Sequence, residues 1–208
     1  MKIIYSDTRS IIINQNKVYK FFNTEHECKN EIQRLVKFSI PEIHDKISDY
    51  KMKMVEIIEI NKFFYSMNRV NGDKLSLKSN NRDFYLAGRW LRSFHNLSFD
   101  SNNNKVNLFG DYVSSHLYLD HKNKTISALD PGKNFGNIDE IEIDISRFIV
   151  SLFYSKNFNL SKLIKIIFFF LEGYGLEKVN FLKLNKFIKY RIFRNFKKTY
   201  KLKKGIKY

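Results

Sequence analysis

The sequence contains only one cysteine, Cys28, in 208 residues. A single thiol excludes an intramolecular disulfide and fits a reducing compartment. Long apolar segments are also missing, since the longest run covers only residues 166–171, whereas a membrane-spanning helix needs about 20 apolar residues. The first seven residues have no long apolar core and no small-residue cleavage site, so we expect no signal peptide. These absences favour a cytoplasmic protein.

Acidic residues are scarce, with 21 Asp and Glu against 37 Lys and Arg, which gives a net charge of +16. Such a charge is typical of proteins that bind nucleic acid, an anionic membrane face or a phosphate-rich substrate. We find no reader helix or base-stacking motif, so nucleic acid is not the expected partner. Hydrophobic residues make up 43%, with 20 Phe and 12 Tyr. This composition predicts a globular protein of one domain, or of two small lobes that share a cleft.

Residues 108–132 predict a β-hairpin, because two short alternating segments flank a polar turn at residues 121–124. Asp111 precedes the hairpin and Asp130 follows it, so closure of the hairpin would bring two carboxylates together. Two like charges raise each other's pKa unless a cation lies between them. The pair therefore predicts a metal site or a proton-transfer site, and hard oxygen ligands favour Mg²⁺.

An ordered set of polar residues surrounds this hairpin. Gly110-Asp111 is followed by His116, then by Asp130-Pro131-Gly132, and then by Asp144 in a predicted helix. This succession resembles the catalytic half of the protein-kinase-like phosphotransferases, particularly the aminoglycoside and small-molecule branch. The resemblance implies that Asp111 orients or deprotonates an acceptor hydroxyl, and that His116 and Asp130 hold Mg²⁺ on the phosphates of ATP. It also implies that Asp144 braces the loop that carries Asp111.

Two residues depart from the family pattern. Phe109 stands where the family usually has His or a small polar residue, and His116 occupies the position of an Asn ligand. Mg²⁺ prefers oxygen ligands, whereas imidazole suits softer metals. Three interpretations of His116 stay open: a weakly held metal, a preference for Mn²⁺, or an impaired enzyme. The alternative to the catalytic interpretation of all these residues is an ordinary hairpin whose acidic side chains are solvated.

Lys20 lies inside an apolar strand, where a solvated lysine is unusual. Thr24 and Glu27 form the capping-box pattern that starts a helix. The expected buried stripe of that helix is Cys28, Ile32, Leu35 and Val36. Glu31 lies on the same side, and a buried carboxylate needs a partner. A Lys20–Glu31 pair resembles the family's strand-lysine and helix-glutamate pair, which positions the nucleotide phosphates. A surface ion pair at the rim is the alternative.

Two further regions bear on nucleotide binding. The turn at residues 6–10 contains no glycine, so its candidates for phosphate contact are the side chains of Ser6, Thr8 and Arg9, and a plain hairpin tip is the alternative. Residues 51–60 alternate like a strand that leads into the connection between lobes. In this family, backbone groups of that connection pair with adenine, which places the predicted hinge at Glu56 to Ile58.

The C-terminal residues 183–207 hold eleven Lys or Arg and no acid. Apolar residues recur among them at helical spacing and predict a basic amphipathic helix: Phe187, Ile188, Ile192, Phe193 and Phe196. Two interpretations stay open, a helix that covers the second lobe and a helix that attaches to an anionic membrane face. A small kinase with such a tail is similar to the lipopolysaccharide core sugar kinases, whose acceptor lies on a membrane-anchored glycolipid.

These patterns and the resemblance predict an α+β, two-lobed protein-kinase-like fold. A short β-rich N-lobe covers residues 1–60, and a mainly helical C-lobe covers residues 61–208. The implied reaction is transfer of a phosphoryl group from ATP, with Mg²⁺ or Mn²⁺, to a hydroxyl of a cell-envelope glycolipid sugar or of a small molecule. The expected location is the cytoplasm, with peripheral attachment at the inner membrane face. A pseudokinase and a basic membrane- or nucleic-acid-binding adaptor are the alternatives.

Overall fold

The computed structural model describes residues 1–5, 9–37, 41–132, 135–137, 140–154 and 159–203. The chain forms two compact units, Met1–Lys74 with His116–Lys133, and Leu75–Ser115 with Asn134–Tyr208. The hairpin that follows residue 116 therefore belongs with the N-terminal strands. The lobe boundary between residues 60 and 61 stays a prediction.

The strands and helices follow one another along the described chain. The strands are β1 (Lys2–Tyr5), β2 (Arg9–Ile13), β3 (Lys17–Phe22), β4 (Ile43–Asp45), β5 (Tyr50–Met54), β6 (Ile57–Ile60), β7 (Phe64–Asn68), β8 (Asp73–Lys74), β9 (Lys105–Asn107), β10 (Leu117–Asp120), β11 (Thr125–Ala128) and β12 (Phe135–Asn137). The helices are α1 (Glu25–Lys37), α2 (Asn81–Leu97), α3 (Glu142–Phe153), α4 (Leu160–Tyr174) and α5 (Phe181–Lys203).

Two five-stranded sheets form most of the first unit. The first sheet has the order β1-β2-β3-β7-β6 and the second has the order β4-β5-β11-β10-β8. Helix α1 contacts β3 and β7 of the first sheet, and Cys28 and Leu35 of α1 are buried with Phe22 and Tyr65 of the sheet. The apolar alternation of the N-terminal strands and the stripe of α1 thus build one small core.

Thr24 caps α1 as predicted. Its Oγ1 accepts the backbone N–H of Glu27 at 3.3 Å and donates to the Glu27 carboxylate at 3.2 Å. The prediction that Val36 is buried is wrong, because its side chain is 62% exposed. Val36 lies eight positions after Cys28, a spacing that places it beside the stripe that Cys28 and Leu35 define.

Strands β10 and β11 form the predicted hairpin, with Leu117 opposite Ala128 and Asp120 opposite Thr125. The hairpin is shorter than predicted, because Ser114–His116 forms a 3₁₀ turn rather than a strand. Strand β11 also pairs in parallel with β5, so it lies inside its sheet. The segment that follows β11 therefore leaves from the interior of the second sheet.

Helices α2 and α4 of the second unit approach closely at two glycines. A Cβ atom on Gly88 would lie 2.0 Å from the carbonyl oxygen of Phe170, and one on Gly173 would lie 2.0 Å from that of Tyr85. Since no side-chain carbon fits at these distances, both positions require glycine. This contact holds α2, which carries much of the aromatic core of the unit, against α4.

Helix α5 packs against α3. Leu184 is buried, and Phe187, Ile188 and Ile192 are half-buried, so the apolar side of this basic helix covers the second unit. Phe193 does not belong to that side, since it is 69% exposed, and the side chain of Phe196 lies outside the described residues. Within the described ranges, no helix combines the length and the apolar character that crossing a bilayer requires.

Candidate active site

Lys20 on β3 is 1% exposed although its side chain ends in an ammonium group. Its Nζ donates to Glu31 Oε1 on α1, and to Asp130 Oδ1 just after β11 at 2.8 Å. A buried cation is stable only when it is paired and hydrogen-bonded, so these two carboxylates are needed to hold it. The Lys20–Glu31 pair is therefore present, and it is a buried pair rather than an ion pair at the rim.

Glu31 also interacts with two further residues of the first sheet. The Tyr65 hydroxyl donates to it at 2.9 Å, and Arg9 Nη1 lies 3.5 Å from its other oxygen. Burial raises the pKa of Tyr65, and the charge of Glu31 raises it further, so the phenol stays protonated and acts as a donor. No sequence pattern identified Tyr65 as a site residue, because a tyrosine in a strand is usually a core residue. Ser6 and Thr8, the other predicted phosphate contacts beside Arg9, lie outside the described residues.

Asp130 has a φ of 54°, in the left-handed region that Asp tolerates better than most residues. Burial raises the pKa of Asp130, but the charge and hydrogen bond of Lys20, with the charges of His116 and Arg9, outweigh that effect. The pKa therefore lies below the ordinary value of an aspartic acid, and the carboxylate is ionised at neutral pH.

A cleft of about 530 Å³ lies within the first unit, and both Lys20 and Asp130 line it. The lining is mainly apolar and includes Ile4, Ile11, Ile13, Val18, Met67 and Leu129. Small-molecule sites are typically clefts of about 300–1,000 Å³, mostly apolar, with a few well-placed polar groups. The cleft has the size and the lining of such a site.

The predicted hinge residues also lie within the first unit. Glu56 connects β5 of the second sheet with β6 of the first, and Ile58 lies at a bulge in the edge strand β6. Neither residue is among the described residues that line the cleft. Residues 68–70 and Gly72, which follow from β7, line it instead. Asn68, Arg69 and Val70 also line a neighbouring pocket of the first unit, and Glu56 lines that pocket with them. The hinge at Glu56 to Ile58 stays a prediction.

Asp144 in the first turn of α3 is 0% exposed, and it fixes the backbone that precedes Asp111. Its carboxylate accepts the backbone N–H groups of Phe109 at 2.5 Å and Gly110 at 2.9 Å, and His95 Nε2 lies 3.2 Å from it. Gly110 has a φ of 84°, a conformation that glycine adopts without steric cost. These are the contacts that a bracing residue would make.

Asp111 is exposed, whereas its segment is anchored on both sides. Phe109 and Tyr112 are fully buried and pack on Trp90, and the Tyr112 hydroxyl donates to the carbonyl oxygen of Ala87 at 2.6 Å. Phe109 is therefore a packing anchor for the segment that carries Asp111. An accessible carboxylate on a fixed segment has the properties needed to orient a hydroxyl or to accept its proton.

Asp130 and His116 are the candidate metal ligands. The carbonyl oxygen of His116 accepts the N–H of Leu129 at 2.9 Å, so both residues leave the same end of the hairpin. A carboxylate and an imidazole fit a divalent ion whose other ligands are phosphate and water oxygens. Among the described residues, no three His, Cys, Asp or Glu side chains group into a metal site by themselves. Asp111 belongs to the second unit, and its closeness to Asp130 stays a prediction.

Many solved structures are similar to this chain, and three of them illustrate the likeness. An amicoumacin kinase in complex with AMP-PNP and Ca²⁺ is 11% identical with a TM-score of 0.55, over 86% of this chain and 73% of that chain. An ethanolamine kinase from Plasmodium vivax is 12% identical with a TM-score of 0.54, over 90% and 70%. A choline kinase from Cryptosporidium parvum is 12% identical with a TM-score of 0.53, over 86% and 74%. No protein-family model and no curated protein matches the sequence.

These likenesses confirm the predicted fold. The chain has the α+β, protein-kinase-like fold of small-molecule phosphotransferases, with a β-rich N-terminal part and a helical C-terminal part. At such low identity the likeness concerns the fold alone. Any activity has to be argued from the side chains of this chain.

Replacing Lys20 by Met should raise the pKa of Asp130, because burial would persist while the main compensating charge is lost. In the wild-type protein the lowered pKa means that Asp130 stabilises the fold above the ordinary carboxyl pKa. This stabilisation is lost as the pH falls through the lowered pKa. An NMR titration of the Asp130 carboxyl carbon measures the change.

Lys124→Met is the matched control for this titration, because Lys124 pairs with Asp49 on the exposed surface. It should leave the pKa of Asp130 unchanged. If Lys20→Met also left that pKa unchanged, the ion pair would not be what keeps Asp130 ionised.

Proposed function

We propose that this chain is an ATP-dependent kinase that phosphorylates a hydroxyl group. The observation that carries the proposal is the buried Lys20, held between Glu31 and Asp130 at the edge of a small-molecule cleft. If Lys20 had only a structural role, an apolar residue at its position would give a more stable fold, because burying charges costs several kcal/mol per ion. A cation retained in such a cleft is better explained by an anionic ligand, and the phosphates of ATP are that ligand here.

ATP would occupy the cleft of the first unit. The apolar lining would cover the adenine and the ribose, and backbone groups of residues 68–72 would pair with the base. An ammonium group has three N–H donors, and Glu31 and Asp130 take two of those of Lys20. The third would donate to a phosphate oxygen, while Glu31 keeps Lys20 in place.

Asp130 and His116 would hold a divalent ion, which neutralises charge on the phosphates when it is bound. Asp130 Oδ1 accepts from Lys20, which leaves Oδ2 as its candidate ligand atom. The imidazole of His116 would suit Mn²⁺ better than Mg²⁺, because Mg²⁺ strongly prefers oxygen ligands.

Asp111 would orient the acceptor hydroxyl and take its proton as the acceptor oxygen bonds to the γ-phosphorus of ATP. The bond between the γ-phosphorus and the bridging oxygen breaks at the same time, and ADP leaves. Asp144 acts only through the loop, by holding the backbone of Phe109 and Gly110. Catalysis would therefore come mainly from positioning and from charge stabilisation.

Asp111→Asn should lower kcat for phosphotransfer by about 10²–10⁴-fold, the usual contribution of an acid–base group. The Kd for AMP-PNP, measured by calorimetry, should not change, because the proposed nucleotide contacts are all in the first unit. Glu172→Gln removes an exposed acid of α4 and should leave both quantities unchanged. An Asp111→Asn protein with wild-type kcat would refute the proposed role.

A pseudokinase is the second candidate function, and His116 at a ligand position favours it. Such a protein would bind AMP-PNP without transferring phosphate to sugar, glycolipid or protein acceptors in Mg²⁺ or Mn²⁺. A basic adaptor would bind neither nucleotide nor metal. AMP-PNP calorimetry followed by an ADP-release screen over those acceptors separates the three functions.

His116→Asn should change the metal preference, because an amide oxygen is a harder ligand than an imidazole nitrogen. AMP-PNP binding is half-saturated at a certain concentration of each metal, and the variant should lower this concentration for Mg²⁺ about tenfold relative to that for Mn²⁺. Changes near metal ligands typically have effects of this size. His121→Asn is the control, since His121 lies in the turn of the same hairpin and bonds Tyr50. Equal shifts for both metals would exclude His116 as a ligand.

The outer face of α5 supports a peripheral membrane contact. Leu182 is 84% exposed and Phe193 is 69% exposed, and the lysines Lys186 and Lys189 lie exposed between them. No acid occurs after Glu177. Exposed apolar side chains among lysines match an anionic lipid surface better than a nucleic acid backbone. The acceptor in this proposal is a sugar of a membrane glycolipid or a small molecule.

Replacing both Lys186 and Lys189 by Gln should weaken binding to phosphatidylglycerol vesicles by about 30-fold, since each basic residue contributes about 1 kcal/mol. Vesicle sedimentation measures this. The control replaces Lys29 and Lys62, two exposed lysines of the first unit, and should bind as the wild type does. Equal binding to phosphatidylcholine vesicles, or binding to RNA but not to vesicles, would contradict the membrane contact.

A further inference from the structure

Three arginines of the second unit lie close together. Arg147 is on α3, and Arg191 and Arg194 are on α5. Each of the three interacts electrostatically with the other two, and Arg147 also interacts with the carboxylates of Asp144 and Asp111. The proposed catalytic carboxylate of Asp111 thus interacts with one member of the arginine cluster, Arg147.

Arg191 is fixed on the surface of α3. Its Nε donates to Ser146 Oγ at 2.8 Å, and its Nη2 donates to the carbonyl oxygen of Ile143 at 3.4 Å. Arg194, one turn further along α5, is exposed. The cluster therefore combines a half-buried, oriented guanidinium with one that solvent or a ligand can reach.

The charges of the three arginines repel one another. Burial lowers the pKa of Arg191 to about 10, and the charges of Arg147 and Arg194 contribute to the decrease. Burial also lowers the pKa of Arg147. The charges of Asp144 and Asp111 raise the pKa of Arg147 and so offset part of the repulsion. An anion placed among the three guanidinium groups would relieve this repulsion.

We propose that Arg147, Arg191 and Arg194 bind a negatively charged group of the acceptor, a phosphate or a carboxylate, while Asp111 receives the hydroxyl. The inference rests on the proposed kinase function and names its substrate class as an anionic, hydroxyl-bearing molecule such as a sugar phosphate or a sugar acid. The planar fork of arginine matches both anions with paired hydrogen bonds. A cationic acceptor such as choline would be repelled.

Anion binding can be tested without turnover. With AMP-PNP and Mg²⁺ filling the nucleotide cleft, inorganic phosphate is titrated while the Nε–Hε NMR signals of the arginines are followed. We expect saturable shifts of the Arg191 and Arg194 signals. Arg194→Gln should weaken the phosphate affinity by about tenfold, the effect of one charged hydrogen bond. Absence of saturable shifts, or shifts of equal size in every arginine, would overturn the proposal.

The variants are chosen so that loss of folding cannot imitate loss of binding. Arg194 is exposed, so its substitution should not unfold the protein, whereas Arg147 and Arg191 are half-buried. Arg194→Lys keeps the charge and should restore part of the affinity. Lys165→Gln removes one exposed charge from α4 and should leave the phosphate affinity unchanged. An Arg194→Gln protein that binds phosphate as tightly as Lys165→Gln would refute the role of Arg194.

A second measurement concerns turnover. Glucose 6-phosphate and glucuronate should be better acceptors than glucose, and Arg194→Gln should raise KM for the anionic acceptors about tenfold with a smaller effect on kcat. A preference for glucose or choline would contradict the inference while leaving the kinase function intact. Phosphate binding in the NMR titration without transfer to any acceptor would contradict the kinase function instead.

Discussion

The first unit depends on the burial of one ammonium group. Moving an unpaired ion into a protein interior costs several kcal/mol even after relaxation, which is comparable with the net stability of a domain, about 5–15 kcal/mol. Lys20 is therefore compatible with this fold only if Glu31 and Asp130 are both in place. Because the three residues come from a strand, a helix and the segment after the hairpin, the ion pairs tie together parts of the chain that are distant in sequence.

The second unit likewise depends on a buried polar side chain, in this case an acid. Asp144 is fully buried, and two backbone N–H groups and His95 surround its carboxylate. His95 is held in turn by the Tyr174 hydroxyl, 2.9 Å from Nδ1. The backbone at Gly110 is thus fixed by a charge, while the aromatic rings of Phe109 and Tyr112 fix it by packing. In each unit a buried polar side chain, Lys20 or Asp144, positions a candidate functional residue through hydrogen bonds.

Local patterns predicted the parts of this structure that depend on neighbouring residues. The capping pair Thr24 and Glu27 starts α1, and a lysine within an apolar strand indicates a buried partner. Residues 51–60 alternate throughout, yet β5 joins β11 in one sheet and β6 joins β7 in the other. No local pattern encodes those long-range pairings. Tyr65 and the arginine cluster were missed for the same reason, since each gains its role from residues remote in sequence.

The basic residues of α5, which contribute to the net charge of +16, differ in their surroundings. Arg191 is half-buried and bonded to α3, so its interaction with an anion is weakly screened by water and salt. Lys186 and Lys189 are exposed, and their attraction to an anionic surface falls off within a Debye length of about 8 Å at physiological ionic strength. Composition counts these residues as equal charges. The half-buried arginine belongs to a specific anion site that tolerates salt, whereas the exposed lysines give a surface attraction that salt weakens. One helix can therefore carry both functions.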